Sequence, residues 1–395
     1  MAEQNLITFE KALKENYLPV WRNQLGVEPS ALLSKIKKVP LVSNKIVATA
    51  PIGLSGGFGF GAEGQATPSA GEKIFQRFET DAKDMYVNIA ISAKAVRLTG
   101  NGGAMANALD TEVKGAYETA KWNVGRALFG NGTGKLAGFS AVSSAGNTIT
   151  VDDTKNLKEG LIIDIYADGA STPQTNGAGR RIVSVDRANK TITISGSAST
   201  FTKGFITVQN SYNREITGIG TIFDPTVTTI YGLKKSENPF LAPVTLDATN
   251  DIDDGIITKA LRQAKNDKNS DVDMILCGDD AYDAYVTYLR TNNVRVEDMS
   301  HEISGGFKAI KFIFGNKQVD IVNESFVPAG DMWGVDTSAL ELHTQEWDFA
   351  DLQGGGIFNL MEGQSVYRAL LANYGNLICT NPGGCVRITN VGYAI

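Results

Sequence analysis

Between residues 100 and 139 the chain reads GNGGAMANALDTEVKGAYETAKWNVGRALFGNGTGKLAGF, and no other stretch restricts the fold as strongly. Met105, Leu109, Val113, Ala116, Ala120, Val124 and Leu128 recur at steps of four, four, three, four, four and four. That is the period of one face of an α-helix. Asn101 or Thr99 is a candidate cap for its start, and Gly130-Asn131-Gly132 is an abrupt stop. At 1.5 Å per residue, roughly 27 residues make a rod about 40 Å long, well above the usual helix length. A rod of that length among strand-like segments predicts a structural spine rather than one wall of a catalytic pocket.

Composition narrows what the spine supports. The 395 residues suffice for two or three domains with ample core, and 42% apolar with 20% charged residues is ordinary for globular proteins. Glycine is high, at 42 residues, and sits in a few clusters, which predicts tight turns and long loops rather than low complexity. A net charge of −6 argues against a sequence-independent DNA binder, which needs clustered Lys and Arg. Enclosing nucleic acid without gripping it stays compatible with that charge. The N-terminus has no apolar core of signal-peptide type and no apolar run reaches membrane length, which predicts a soluble protein made in a cytoplasm.

Taken in order, residues 1–45 read as an arm. Leu6, Phe9 and Leu13 have helical spacing, Pro19 is expected to end that segment, and SALLSKIKKV is a second short amphipathic run ending before Pro40. An arm this apolar must lie on its own body or on a neighbouring subunit. Residues 44–97 read as a long strand, a glycine-rich tip and a long returning strand with alternating Ile74, Phe78, Val87, Ile89 and Ile91. Such a hairpin buries little of its tip, so the tip is expected to be mobile unless a partner covers it. Residues 140–216 carry only short alternating strands separated by Asp, Asn and Gly turns, a small all-β barrel or sandwich. The flanking LAGF and ITGIG look like one strand–turn junction opened to admit an insertion. Residues 217–336 alternate helix and strand: a helix begins near Asp251, VDMILCG is a buried strand, and Asp279 is expected to cap a helix carrying Tyr285, Val286 and Leu289. The tail returns to long strands around a glycine-broken loop and is expected to complete a sheet begun earlier.

Motifs that could carry chemistry fail on context. Gly59-Phe60-Gly61-Ala62-Glu63-Gly64 matches the dinucleotide fingerprint as a string, but Pro68 and further glycine follow where a helix must begin. Gly53-Leu54-Ser55-Gly56-Gly57 spells a nucleophile elbow without the helix that the motif requires. In the would-be phosphate loop of residues 130–135, Leu136 follows the lysine and the segment closes a helix instead of opening one. The clusters Asp251, Asp253, Asp254 and Asp271, Asp273, Asp279, Asp280 lack calcium-loop spacing and read as caps and solvated turns. Cys277, Cys379 and Cys385 make no zinc pattern and read as free, partly buried thiols. His301 and His343 have no carboxylate or cysteine at informative spacing, and Arg180-Arg181 is too short a basic patch for nucleic acid. No enzyme, cofactor or metal is therefore expected; a hydrolase using Ser55 is the competing reading from another class, and a secreted adhesin a third.

The order of parts carries a resemblance. Arm, long hairpin, long helix, Gly-rich stop, α/β segment and two long strands around a loop resemble the major capsid proteins of tailed bacteriophages, which share the Hong Kong 97 capsid fold with encapsulins. The strongest match is residues 91–139, with its leading strand, spine helix and GNGTG turn; the strand–Gly-Asp–helix unit at residues 274–290 and the final residues 367–391 are also similar. The resemblance covers nearly everything except residues 140–216.

The resemblance implies an α+β chain with an N-arm (residues 1–45), an E-loop hairpin (46–80), a P-domain with the spine helix (81–139), an inserted all-β domain (140–216), an A-domain (217–336), P-domain strands and loop (337–378) and a C-terminal A-domain strand (379–395). It implies pentamers and hexamers of one chain building an icosahedral shell around double-stranded DNA, in a virion assembled in the host bacterial cytoplasm. An encapsulin-type compartment is the alternative. Partners implied are other copies of the chain, a scaffolding protein, a portal and a decoration protein. A separate scaffold is expected because no long helical N-terminal extension is seen. Subunit-interface candidates are Phe9, Leu13, Phe58, Phe60, Glu63, Lys73, Phe75, Trp347, Phe349 and Phe358. Some members form a Lys–Asn crosslink; Lys73 lies in the hairpin without an assignable partner, so no crosslink is expected.

Overall fold

In a computed structural model the long helix spans Gly102–Phe129, 28 residues. Its apolar stripe meets a core: Val113, Ala120 and Leu128 are buried, joined by Tyr117 in the same face. The structure describes residues 17–27, 29–53, 56–64, 66, 69–93, 102–292, 300–303, 306–350 and 357–392. The expected caps Thr99 and Asn101 lie outside these residues, and so do Phe9 and Leu13. The stop is where the glycines put it, with Gly132 and Gly134 at φ of +79° and +75°, angles that side chains with a Cβ rarely adopt.

The chain divides into two compact units. The first comprises Met1–Leu25, Lys83–Thr221 and Trp347–Asn373; the second comprises Gly26–Ala82, Ile222–Glu346 and Tyr374–Ile395.

In the first unit the long helix packs with Leu18, Trp21, Leu25, Ile89, Trp347, Phe349, Ile357, Phe358 and Leu371. Strand Lys83–Ser92 pairs with Val366–Cys379, whose residues up to Asn373 also pair with Asp348–Phe349 and Asn359–Leu360. The helix Leu18–Val27 shows how the start of the chain is held. Leu18, Trp21 and Leu25, at steps of three and four, all point into this core. Each such side chain contributes about 1.5–3 kcal/mol by leaving water. Pro19 sits near the start of that helix, which runs on past it, and the segment it was expected to end (Leu6, Phe9, Leu13) lies outside the described residues. The described arm thus lies on its own chain.

Residues 135–208 of the same unit are all strand and turn. A six-stranded sheet runs in the order Lys135–Phe139, Gly204–Val208, Ile162–Ala167, Arg180–Asp186, Thr191–Ile194, Thr148–Thr150, and Val142–Gly146 pairs with Ser199–Phe201. Ile149, Leu157, Ile163, Ile165, Ile192 and Ile206 form its own core, with Trp122 of the long helix packed against it. Asp164 is buried and accepts from the backbone N–H of Gly179 and Asn210, at 2.8 Å each, so its charge is met inside the sheet.

The expected twin junction is not formed. The LAGF stretch is an edge strand of this sheet, whereas residues 216–219 form no strand and return to the helix end, with Ile219 N–H donating to Leu128 O at 2.8 Å. A Cβ on Gly218 would stand 2.4 Å from Leu128 O and 2.5 Å from Ala127 O. Gly218→Ala is therefore expected to cost about 1–3 kcal/mol as the backbone shifts to relieve overpacking, read as a lowered urea midpoint at unchanged m.

The second unit is built on a seven-stranded sheet in the order Val244–Asp247, Val386–Thr389, Met332–Val335, Met274–Cys277, Lys317–Asn323, Phe307–Phe314, Ser300–Ile303. The C-terminal strand pairs parallel with Val244–Asp247 and antiparallel with Met332–Val335, so the tail completes an earlier sheet as expected. Helices Asp254–Lys268 and Asp279–Thr291 bury Ile257, Leu261, Tyr285 and Leu289 against it. Asp253 caps the first helix, accepting from Ile256 N–H at 2.6 Å. The second is not capped by Asp279; its N-cap is Gly278, and Asp279 lies in the first turn. A Cβ at residue 278 would come 2.4 Å from Pro328 O, so the cap position admits no side chain.

The hairpin also belongs to this unit and is shorter than the sequence predicts. Lys45–Ile52 pairs antiparallel with Ile74–Asp81, and the returning strand breaks at Ala82, whose N–H donates to Asn44 O at 2.7 Å. The expected single long strand is thus two elements with different partners.

Candidate functional site

Exposed apolar residues are scattered, with Val42, Ile313 and Leu360 among them, but Phe58, Phe60, Ile74 and Phe75 all fall in the one hairpin. Alternation along Ile74–Asp81 turns Phe78 inward, 1% exposed and edge-on to Tyr231 at 6.2 Å. Ile74 and Phe75, beyond the last inward position, are 68% and 64% exposed. At the tip Phe58 and Phe60 stand almost fully in solvent, their rings edge to face at 5.3 Å. Glu63 and Lys73 are exposed beside them. The glycines make the tip narrow: a Cβ on Gly71 would fall 2.2 Å from Gly56 O, so the two backbones approach to a distance only glycine permits. Four large apolar side chains held out on a thin ribbon are an unfinished surface, the kind that a second molecule covers.

The structure separates the remaining sequence candidates from this patch. Trp347, Phe349 and Phe358 are 7%, 7% and 9% exposed, and they fill the core of the first unit. The Trp347 carbonyl accepts from Arg22 Nε at 2.7 Å, and Arg22 also pairs with Asp348 at 3.4 Å. These aromatics close the core over helix Leu18–Val27 instead of offering surface.

Among the described residues several titratable groups form ties. His301 and His343, read from the sequence as lacking carboxylate neighbours, both have one. His301 Nε2 lies 3.1 Å from Asp320 Oδ1, and His343 Nε2 lies 3.4 Å from Glu341 Oε2. Two strand pairings, of Phe307–Phe314 with Ser300–Ile303 and with Lys317–Asn323, bring His301 to Asp320. For His343 the signal was present: residues two apart in a strand share a face. Lys35 Nζ meets Asp320 Oδ2 at 2.5 Å, and Lys37 Nζ meets Glu341 Oε1 at 2.6 Å. Burial raises the Asp320 carboxyl, but the hydrogen bonds from Lys35 and Gln318 outweigh it and hold the group below the ordinary range. The hydrogen bond from Lys37 does the same for Glu341.

The three cysteines are free and wholly buried, not partly so, and burial pushes the Cys277 thiol up, which keeps it protonated. Among the described residues no group of three or more His, Cys, Asp or Glu is placed to hold a metal ion. Of the aspartate clusters, Asp273 accepts from Thr337 N and Oγ1 at 2.8 and 2.7 Å, and Asp271 pairs with Lys317 at 2.6 Å. The fingerprint glycines Gly59, Gly61 and Gly64 lie in exposed coil, and Ser55 is outside the described residues. An open cleft of about 460 Å³ in the β-rich segment, lined by Gln174, Thr200 and Thr202 among others, holds no carboxylate, imidazole or thiol. No helix among the described residues is long and apolar enough to cross a membrane.

No family model matches the sequence, and no curated protein matches it. Among solved structures the chain is similar to a chain of the cyanophage A-1(L) capsid, with a TM-score of 0.53 at 10% identity, covering 91% of this chain and 92% of that one. It is also similar to an encapsulin of Synechococcus elongatus (TM-score 0.47, 8% identity, 91% and 88% covered). A third similarity is to the satellite phage P4 procapsid (TM-score 0.45, 10% identity, 95% and 99% covered). The mixed α+β fold of this chain is thus the capsid-type fold that its order of parts resembles.

Proposed function

We propose that this chain is the major capsid protein of a tailed bacteriophage, assembling with copies of itself into the pentamers and hexamers of an icosahedral shell around double-stranded DNA. The observation that carries the proposal is a capsid-type fold shared over nine-tenths of the chain. The uncovered apolar hairpin supports it, because a shell subunit needs surface that only its neighbours bury.

In this reading residues 46–80 are the E-loop laid across an adjacent subunit, with Phe58, Phe60, Glu63, Lys73 and Phe75 as contact residues. Phe9 and Leu13 extend the N-arm contacts. The long helix, with residues 337–378, forms the P-domain, and residues 217–336 with the C-terminal strand form the A-domain around five- and six-fold axes. Residues 140–216 are an inserted domain facing outward. The chain is not an enzyme; its scaffold, portal and decoration proteins are separate chains, and the shell assembles in the host cytoplasm as part of the virion. A net charge of −6 suits a container whose DNA must be packed and later released.

Expression with the neighbouring genes, followed by negative-stain electron microscopy, tests the reading. Closed shells, or rings of five and six, are expected. Phe58→Asp with Phe60→Asp should leave a folded subunit with unchanged circular dichroism and no shells, since two charges cannot be buried at an apolar contact without partners. Shells from the doubly substituted chain would remove the hairpin from the interface. A concentrated monomer from the unaltered chain would end the assembly reading, and shells holding an enzyme cargo instead of DNA would end the phage one.

A further inference from the structure

Within the second unit residues 30–40 are tied to the rest of it at three points, and the three ties differ in kind. At the far end Lys37–Pro40 pairs parallel with Leu340–Thr344, and Lys37 meets Glu341. In the middle Lys35 meets Asp320. At the near end Ser30, Ala31, Leu32 and Leu33 are buried, and so is Glu324, only 6% exposed. That carboxylate accepts from the Ser30 hydroxyl and from the N–H groups of Ala31 and Phe326. Ser30 Oγ in turn accepts from Leu33 N–H at 3.3 Å, capping the turn Ala31–Lys35, so one acid anchors the cap of the whole segment.

We propose that residues 30–40 form a strap that rising pH loosens, with Glu324 as its proton-operated catch. Two ties are ion pairs, and the third is a buried acid that no cation among the described residues pairs with. The ionisable groups facing Glu324 are Asp279, at the start of helix Asp279–Thr291, and Cys277, whose carbonyl accepts the Glu324 N–H at 2.8 Å and whose thiol burial keeps neutral. Burial pushes Glu324 up to about 7 from its ordinary 4.5; the bonds from Phe326, Ser30 and Ala31 oppose the rise and Asp279 adds to it. A carboxyl raised in the folded state binds more protons closed than open, so closure is favoured at low pH and weakens as pH climbs from about 4.5 to about 7. Asp320 and Glu341 sit below the ordinary range, so their ties to Lys35 and Lys37 are intact throughout that window. Above it, opening the near end lets Glu324 ionise in water. The strap therefore loosens first at residues 30–33, by sub-global opening of one segment.

Hydrogen–deuterium exchange of the full chain between pH 5 and 8, corrected for intrinsic amide rates, tests this. The opening constant of residues 30–36 is expected to rise by up to about tenfold per pH unit between pH 5 and 7 and then level off. It should exceed that of the Met274–Cys277 strand throughout. Glu324→Gln, neutral and still an acceptor, should flatten the dependence at the low-pH value. Ser30→Ala removes one donor that favours the charged form, and should carry the rise to higher pH. An opening constant independent of pH, an unchanged slope in Glu324→Gln, or strap exchange no faster than that of the core strand would each overturn the proposal.

Discussion

Glu215→Ala is expected to destabilise the first unit by about 3–5 kcal/mol. Arg126, in the last turn of the long helix, reaches Glu215 with both terminal nitrogens, Nη1 to Oε2 at 2.9 Å and Nη2 to Oε1 at 2.5 Å. Their side chains are 6% and 10% exposed, so neither charge has water to fall back on. Removing the carboxylate strands a guanidinium inside, and the loss is mainly the cost of that orphan rather than the net worth of the pair. The same logic predicts the rescue. Arg126→Met with Glu215→Leu should recover most of the loss, because burying no charge is about as favourable as burying a well-matched pair. Urea unfolding of the three chains measures both halves. A loss below about 1 kcal/mol for Glu215→Ala would show the pair to be solvated. The pair matters to the architecture because Glu215 lies just past the β-rich residues, at the return of the chain to the helix it left at Gly130.

Trp347→Ala is expected to cost about 3–5 kcal/mol, the range for emptying a large aromatic from a core. Trp347 packs among Leu18, Trp21, Ile89, Val113 and Tyr117, with Trp21 and Tyr117 ring to ring at 5.7 Å. The measurement separates two roles. As a core residue Trp347 lowers the stability of the isolated subunit at every concentration when truncated. A subunit contact would leave that stability unchanged and cost only assembly. Thermal unfolding of dilute, unassembled chain therefore decides it, and a wild-type midpoint in Trp347→Ala would return the residue to the interface. The contrast with Phe58 and Phe60 is physical. All are aromatic, but no described residue covers the rings of Phe58 and Phe60 at the hairpin tip, whereas Trp347 packs in a core with Leu18, Trp21 and Tyr117.

Where neighbours in space are neighbours in sequence, the residues were readable. The stripe through Val113, Ala120 and Leu128, the strands Lys45–Ile52 and Phe307–Phe314, and the cap at Asp253 all follow from periodicities and side-chain reach within one turn or one strand. Proline is compatible with both a helix start and a helix stop, and the structure places Pro19 near the beginning of helix Leu18–Val27, whose Trp21 and Leu25 are buried. His301 gave no sign of Asp320, since a third strand lies between theirs in the chain. Gly278 was passed over for Asp279 because the clash that demands glycine comes from Pro328, fifty residues on.

The candidate site divides in the same way. That the hairpin tip is glycine-rich, apolar and hard to bury is a local property, visible in the letters of residues 53–75. Which aromatics remain uncovered is not local. Burial of Trp347, Phe349 and Phe358 is decided by what arrives from residues 18–25 and 113–120, and an aromatic in a core and one at an interface have the same side chain. The period of each element, the places where turns can bend and the apolar, glycine-rich hairpin tip are written in the order of the residues. Which of those surfaces meet is set by the folded chain, because burial and charge pairing join residues distant in sequence, and local patterns do not record them.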